Sequence, residues 1–232
     1  MMNIRPSRER GLTQIDWLKS RHTFSFDTYV DPTHDHFRTL RVINEDIVKP
    51  GAGFHPHSHR DMEIITYLLS GALEHKDSMG NGSVIRPGEI QRMTAGTGVT
   101  HSEFNASQKE PAHLLQIWIF PDKKGLSPGY EQKKFERKSF QNRFCLLASR
   151  DAQQGSVRVR QDVWLYGSML KPKQNLAYSL NPGRHAWVQV ASGELELNGK
   201  TLTAGDGAAA SDEKDLQFTA KKDSEFLLFD LA

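Results

Sequence analysis

The sequence predicts an all-β protein assembled from two copies of one β unit. Helical periodicity is scarce, and short apolar runs end at Gly, Pro, Asn or Asp, as sandwiches and barrels require. An internal repeat is visible: "TYLLSGALEH" (66–75) resembles "VQVASGELEL" (188–197), each an apolar strand, a Ser-Gly turn and an alternating strand. Downstream, "IRPGE" (85–89) matches "LTAGD" (202–206) in shape. A length of 232 residues suits two such units better than one large barrel.

In chain order, strands are expected at 39–43, 62–69, 72–75, 113–120, 157–163, 186–190, 194–197 and 225–231, where apolar and β-branched residues cluster or alternate. Turn signals separate them: Lys49-Pro50-Gly51, Ser70-Gly71, Gly80-Asn81-Gly82, Arg86-Pro87-Gly88, Ser192-Gly193 and Asn198-Gly199. The Asn-Gly pair suits a tight hairpin because both residues tolerate positive φ. The polar, Pro- and Gly-bearing stretch 121–142 is the expected boundary, giving an N-terminal domain 1–130 and a C-terminal domain 131–232.

Composition excludes several classes. Hydrophobic residues make up 37% and charged residues 25%, ordinary for a globular chain with a core, and the formal net charge is only +2. Lys and Arg are dispersed, and Lys133-Lys134 has Glu131 and Glu136 nearby, so neither a nucleic-acid nor a membrane surface is indicated. The single cysteine, Cys145, forbids an intrachain disulfide and reads as a small buried hydrophobe. The N-terminus lacks the apolar core of a signal peptide, and no apolar run approaches the roughly 18 residues of a membrane span. A cytoplasmic protein is expected.

The chemistry concentrates in "GAGFHPHSHRDMEI" (51–64) and "AGTGVTHSEFN" (95–105), in a chain with only ten histidines. Residues i and i+2 of a strand share a face, so His57 and His59 can aim two imidazoles into one interior, and His101 and Glu103 repeat the spacing. Three imidazoles and a carboxylate suit a divalent first-row ion, and four protein ligands leave positions for water, substrate or dioxygen. The donor set admits Mn, Fe, Co, Ni, Cu or Zn; iron(II) is the expected ion for dioxygen chemistry. His55 shares the parity of His57 and His59, but the set is complete without it, and it is expected at the mouth or behind the ligands. Glu63 also has the parity to face inward and competes with Glu103 for the carboxylate role. His75, in "EHKDSMG", leads into a turn and reads as a polar turn residue. The second copy gives "GAAASDEKDLQF" (207–218), without histidine, so the metal is expected in the N-terminal half alone.

At these residues the chain resembles the cupin superfamily and, within it, the pirin family. Gly51, His57, His59, Glu63 and Gly71 follow the first cupin signature, with one extra residue before the last glycine; Gly98, His101 and Asn105 follow the second, with Gly96 in place of its usual proline. The stretches 17–32, 40–81, 92–105 and 113–121 are similar to bacterial pirin-like proteins almost without interruption, and 225–231 more loosely so. The resemblance implies a bicupin, two stacked antiparallel β-barrels of jelly-roll type, with metal only in the first. It implies His57, His59, His101 and Glu103 as ligands, favouring Glu103 over Glu63. His55 stands where relatives carry another residue, so the mouth of the site is expected to differ.

Several pirins are quercetin 2,3-dioxygenases. The implied activity is flavonol ring cleavage by dioxygen with release of carbon monoxide, Glu103 serving as base and Glu63 as the second candidate. The partners would be a small aromatic substrate and dioxygen, with no direct contact to nucleic acid or membrane. A rival implication is a redox-sensing, metal-binding interaction protein or regulatory cofactor, acting through a protein partner. A third is a cupin enzyme with another substrate, since fold does not fix reaction.

Overall fold

The computed structural model describes residues 1–232 and is almost entirely β, with only three-residue 3-10 turns at Ser7–Glu9, Arg137–Ser139 and Gln153–Gly155. No helix is long and apolar enough to cross a membrane. The chain forms two compact units: one holds Gly11–Phe135 and Val157–Gln161, the other Met1–Arg10, Glu136–Ser156 and Asp162–Ala232. Relative to a cut at 130/131, residues 1–10, 131–135 and 157–161 lie with the opposite half.

The first unit contains eight successive strands: Leu40–Val48, Gly53–His59, Glu63–Ser70, Leu73–Asp77, Gly82–Ile85, Glu89–Thr94, Val99–Asn105 and Ala112–Ile119. Numbered in that order, the larger sheet runs sixth, third, eighth, first, and the smaller second, seventh, fourth, fifth. All pairings are antiparallel, and consecutive strands repeatedly cross between sheets, which is the jelly-roll arrangement. The larger sheet continues past Leu40–Val48 through Leu18–His22 and Gly11–Gln14, and Gly129–Lys134 covers its other edge. That last strand falls inside the expected boundary stretch; as an edge strand its polar sequence carries no alternating signal.

Each barrel is therefore two facing sheets rather than one closed sheet. Leu68, Val48 and Leu114 of the larger sheet pack with Leu73 and Ile85 of the smaller in one buried cluster. Removing each such side chain from water is worth about 1.5–3 kcal/mol, which is what holds the sheets face to face.

The second unit repeats the plan with Val163–Leu170, Asn175–Ser179, His185–Ser192, Glu194–Leu197, Lys200–Thr203, Gly207–Ala210, Asp215–Ala220 and Ser224–Leu231, in the same strand order. Met2–Arg5 covers the edge at Gly207–Ala210, which is why the first ten residues belong to this unit. The sequence repeat maps onto this shared topology: Ser70-Gly71 and Ser192-Gly193 join the third and fourth strands of their units, with φ of 80° and 84° at the glycines. Asn198 and Gly199, at φ 46° and 78°, form the expected tight hairpin. The expected strand 157–163 is not continuous: Val157–Arg158 and Val163–Leu170 are separate, because the Arg160 N–H donates to the Glu63 carboxylate (3.1 Å) instead of to a ladder.

Candidate metal centre

The two motif-bearing strands pair directly. Gly53–His59 and Val99–Asn105 are antiparallel neighbours, with His57 opposite His101 and His59 opposite Val99. The register then shifts, so that Glu103 faces Phe54 and two residues, His55 and Pro56, stand against Ser102. This bulge reverses the parity of the first motif. His57, His59 and Phe54 line the interior, while His55, expected to share their side, is exposed with its ring 5.2 Å from that of Phe104. Gly53 makes the bulge possible: a Cβ there would sit 2.2 Å from the Glu103 carbonyl oxygen.

The donor groups of His57, His59 and His101 lie within 4.8 Å of one another, and His101 and Glu103 are only 2% and 3% exposed. His59 Nε2 and His101 Nε2 are 3.0 Å apart. Two ligands about 2.1 Å from one ion at a right angle stand about 3.0 Å apart, so the spacing fits neighbouring ligands of a divalent metal with open positions. His57 Nδ1–H donates to the His55 carbonyl (2.8 Å), which turns its Nε2 toward the same point. Burial first, then His101 and His57, push the His59 pKa down to about 4; burial, then His57 and His75, push His101 down to about 3. Both imidazoles are thus neutral near pH 7, with lone pairs available to a metal. The residues present fit a divalent metal at one His/Glu site, in which His101 belongs both to the group with His57 and His59 and to a buried group with His75 and Glu103.

The larger sheet supports these ligands with a row of polar residues paired across five strands: His22, Asn44, Gln116, Thr66 and Gln91. All five are buried. Gln116 Nε2–H donates to Glu103 Oε2 (2.8 Å), the Thr66 hydroxyl donates to Gln116 Oε1 (3.1 Å), and Gln91 Nε2–H donates to His75 Nδ1 (3.1 Å). His22 is held between Asn44 Oδ1 (2.9 Å) and the Thr13 hydroxyl (2.9 Å).

Glu63 is not part of this constellation. It occupies the same strand as Thr66, three residues away, and so projects from the opposite face. It is fully buried there, with Oε2 accepting the Arg160 N–H at 3.1 Å, and burial raises its pKa. The structure also moves His75 from the expected turn into a strand: it is 0% exposed, its ring 5.3 Å from that of His101. The sequence signal existed, because Leu73, His75 and Asp77 alternate with Glu74 and Lys76.

A cavity of about 380 Å³ opens onto His57, His59 and Glu103. Trp17, Phe26, Phe54 and Trp118 supply its apolar walls, and His22 and Asn44 stand among its polar lining groups. Trp118 meets the His59 ring edge-on at 4.9 Å and Phe26 at 5.3 Å, which fixes both walls beside the histidine cluster. Such a cavity has the size and mixed lining of a small-molecule site.

In the second unit the equivalent strand pair brings Leu176 opposite Phe218 and Tyr178 opposite Leu216. These side chains join the hydrophobic core, and the Tyr178 hydroxyl donates to Asp230 (2.6 Å). The architecture is repeated without donors for a metal.

Comparison with known proteins gives the same picture. Residues 3–119 match the family model described as Pirin, and residues 146–231 match the one described as Quercetinase C-terminal cupin domain. The chain is 45% identical over 231 residues to a quercetin 2,3-dioxygenase of Escherichia coli strain K12, covering 100% of this chain and 99% of that protein. It superimposes on the crystal structure of YhhW from Escherichia coli with a TM-score of 0.97 at 44% identity, covering 100% and 98% of the two chains. For the bacterial pirin YhhW in complex with nickel(II), the TM-score is 0.95 at 44% identity, covering 100% and 99%.

Proposed function

This chain belongs to the pirin family, and from that premise we propose that it is a metal-dependent dioxygenase that opens the central ring of flavonols such as quercetin with release of carbon monoxide. The observation that carries the reading is the clustering of the His57, His59 and His101 imidazoles, with the buried Glu103 carboxylate lining the same aromatic cavity as His57 and His59. His57, His59, His101 and Glu103 would hold the metal, iron(II) in the native protein. When bound, the metal supplies Lewis acidity toward a substrate oxygen and an open position for dioxygen.

The chain's own residues do the rest. Trp17, Phe26, Phe54 and Trp118 receive a flat aromatic molecule and exclude water from its reacting edge. Glu103 is the base for the flavonol 3-hydroxyl proton. Gln116 holds Oε2 at 2.8 Å, while the Thr66 contact to Oε1 is long, 3.4 Å, and leaves that oxygen able to accept the proton. Glu63, on the far face of its strand, takes no part in this scheme. The reaction belongs to the N-terminal half, 1–130, and the C-terminal half, 131–232, contributes no ligand. Lys and Arg are dispersed along the chain, which supports an enzyme without a nucleic-acid partner.

The test is incubation of metal-reconstituted protein with quercetin, with and without oxygen, following flavonol absorbance. Oxygen-dependent loss supports the reading. No loss with any first-row metal would move a metal-binding interaction protein ahead of it.

A further inference from the structure

Behind the metal ligand His101 lies a chain of hydrogen bonds that determines which of its nitrogens carries the proton. The Asp77 carboxylate is at the end remote from His101, its side chain 0% exposed. Its oxygens accept from the Met79 N–H (2.9 Å), the Asn81 N–H (3.0 Å) and the Asn81 side-chain amide (2.9 and 3.1 Å). His75 Nε2 stands 3.2 Å from Asp77 Oδ2. A carboxylate only accepts, so His75 Nε2 carries the hydrogen and His75 Nδ1 presents a lone pair. Two groups face that lone pair: the Gln91 side-chain nitrogen at 3.1 Å and His101 Nδ1 at 3.4 Å. Both must donate. His101 is thereby held as the Nδ1–H tautomer, and its Nε2 lone pair points at His59 Nε2, 3.0 Å away, where the ion would sit. The ring of Tyr130 stacks on His75 at 5.0 Å and prevents it from turning out of line.

We propose that His75, locked by Asp77, is a positioning residue that keeps His101 in the one tautomer able to ligate the metal. The inference rests on the metal-centre reading of the site, and is independent of which reaction the centre performs. The neighbouring ligand His57 is set by a backbone carbonyl, which no side-chain substitution removes; His101 depends on a side chain two links deep.

Asp77→Asn is the informative variant. Its side-chain oxygen can still accept from the Met79 and Asn81 backbone, while its amide can present a hydrogen to His75 Nε2. His75 then becomes an Nδ1–H donor, and His101 is driven to the Nε2–H tautomer, which blocks ligation. His75→Phe removes the acceptor without presenting a competing donor. In the metal-free full-length protein, ¹⁵N–¹H correlation spectra of the imidazoles should show His101 protonated at Nδ1 in the wild type and at Nε2 in Asp77→Asn. Nickel(II) affinity, measured by chelator competition, should fall about 10–100-fold in Asp77→Asn, the range usual for such outer partners. If Asp77 acts through His75, Asp77→Asn should add nothing in a His75→Phe background. Protonation of His101 at Nε2 in the wild type overturns the proposal, even if Asp77→Asn fails to fold. So does unchanged nickel affinity in a folded Asp77→Asn, or an effect that persists in the double variant. A wild type with the expected tautomer that binds no nickel would instead overturn the metal-centre reading.

Discussion

Replacing Glu103 by Gln isolates the carboxylate charge with little change in shape. In the native arrangement Glu103 Oε2 accepts from Gln116 at 2.8 Å, while the Thr66 hydroxyl, whose hydrogen goes to Gln116 Oε1, lies 3.4 Å from Glu103 Oε1. A glutamine can keep the Gln116 contact and direct its amide to the Thr66 oxygen, so the fold loses about 1 kcal/mol, the net worth of one hydrogen bond. On the proposed ligand set, the metal would lose its only anionic ligand. Outer partners alone commonly alter affinity 10–100-fold, so loss of this ligand should exceed about 100-fold, or about 2.8 kcal/mol at 1.4 kcal/mol per tenfold. Flavonol cleavage should vanish, because the ligand and the base are lost together. Glu63→Gln is the control: it lies on the opposite face of its strand, 3.1 Å from the Arg160 N–H, and should keep metal and most activity. Metal content by elemental analysis after dialysis, with oxygen-dependent quercetin loss, reads both variants. Loss of metal from Glu63→Gln with retention in Glu103→Gln would refute the reasoning.

Three further expectations accompany this one. His57→Ala and His101→Ala should empty the site while His55→Ala retains the metal, since His55 serves His57 only through its backbone carbonyl; metal loss from His55→Ala equal to that from His57→Ala would show the bulge misplaced. Metal analysis should give one ion per chain, with anomalous scattering only among residues 57–103; two ions, or signal in the C-terminal half, contradicts the repeat argument. In the metal-free protein His59 and His101 titrate near 4 and 3, against 6.5 in the unfolded chain. The unfolded chain therefore binds more protons between about pH 4 and 6.5, and stability should fall as the pH is lowered through that window. Denaturant titrations at pH 7.5 and 5 should show that loss reduced in His101→Phe; identical losses in variant and wild type would refute it.

Much of the fold was legible because the third, fourth and eighth strands of each unit follow local rules. Ser70-Gly71 and Ser192-Gly193 need positive φ, and the strands around them alternate or run apolar. Asn175–Ser179 and Lys200–Thr203 left little trace because most of their residues face solvent, and Gly129–Lys134 because its half-buried edge sequence does not alternate and its partner lies far along the chain. Within the site, i, i+2 spacing placed His57, His59, His101 and Glu103 together. It failed for His55 because a bulge, set by pairing with a distant strand, reverses the parity; Gly53 was its only local mark. It failed for Glu63 for a related reason: that residue begins a new strand in the other sheet, and parity does not carry across the turn. His75 and Gln116 were overlooked, although a lone polar residue in an apolar strand such as "HLLQIWI" signals a buried partner.

The central claim, a dioxygen-using metal centre formed by three histidines and Glu103, is tested most directly by stoichiometry. Metal-reconstituted wild type should consume one dioxygen and release one carbon monoxide for each quercetin lost, and Glu103→Gln should do neither. Quercetin loss without carbon monoxide, or equal turnover by Glu103→Gln, would contradict the account.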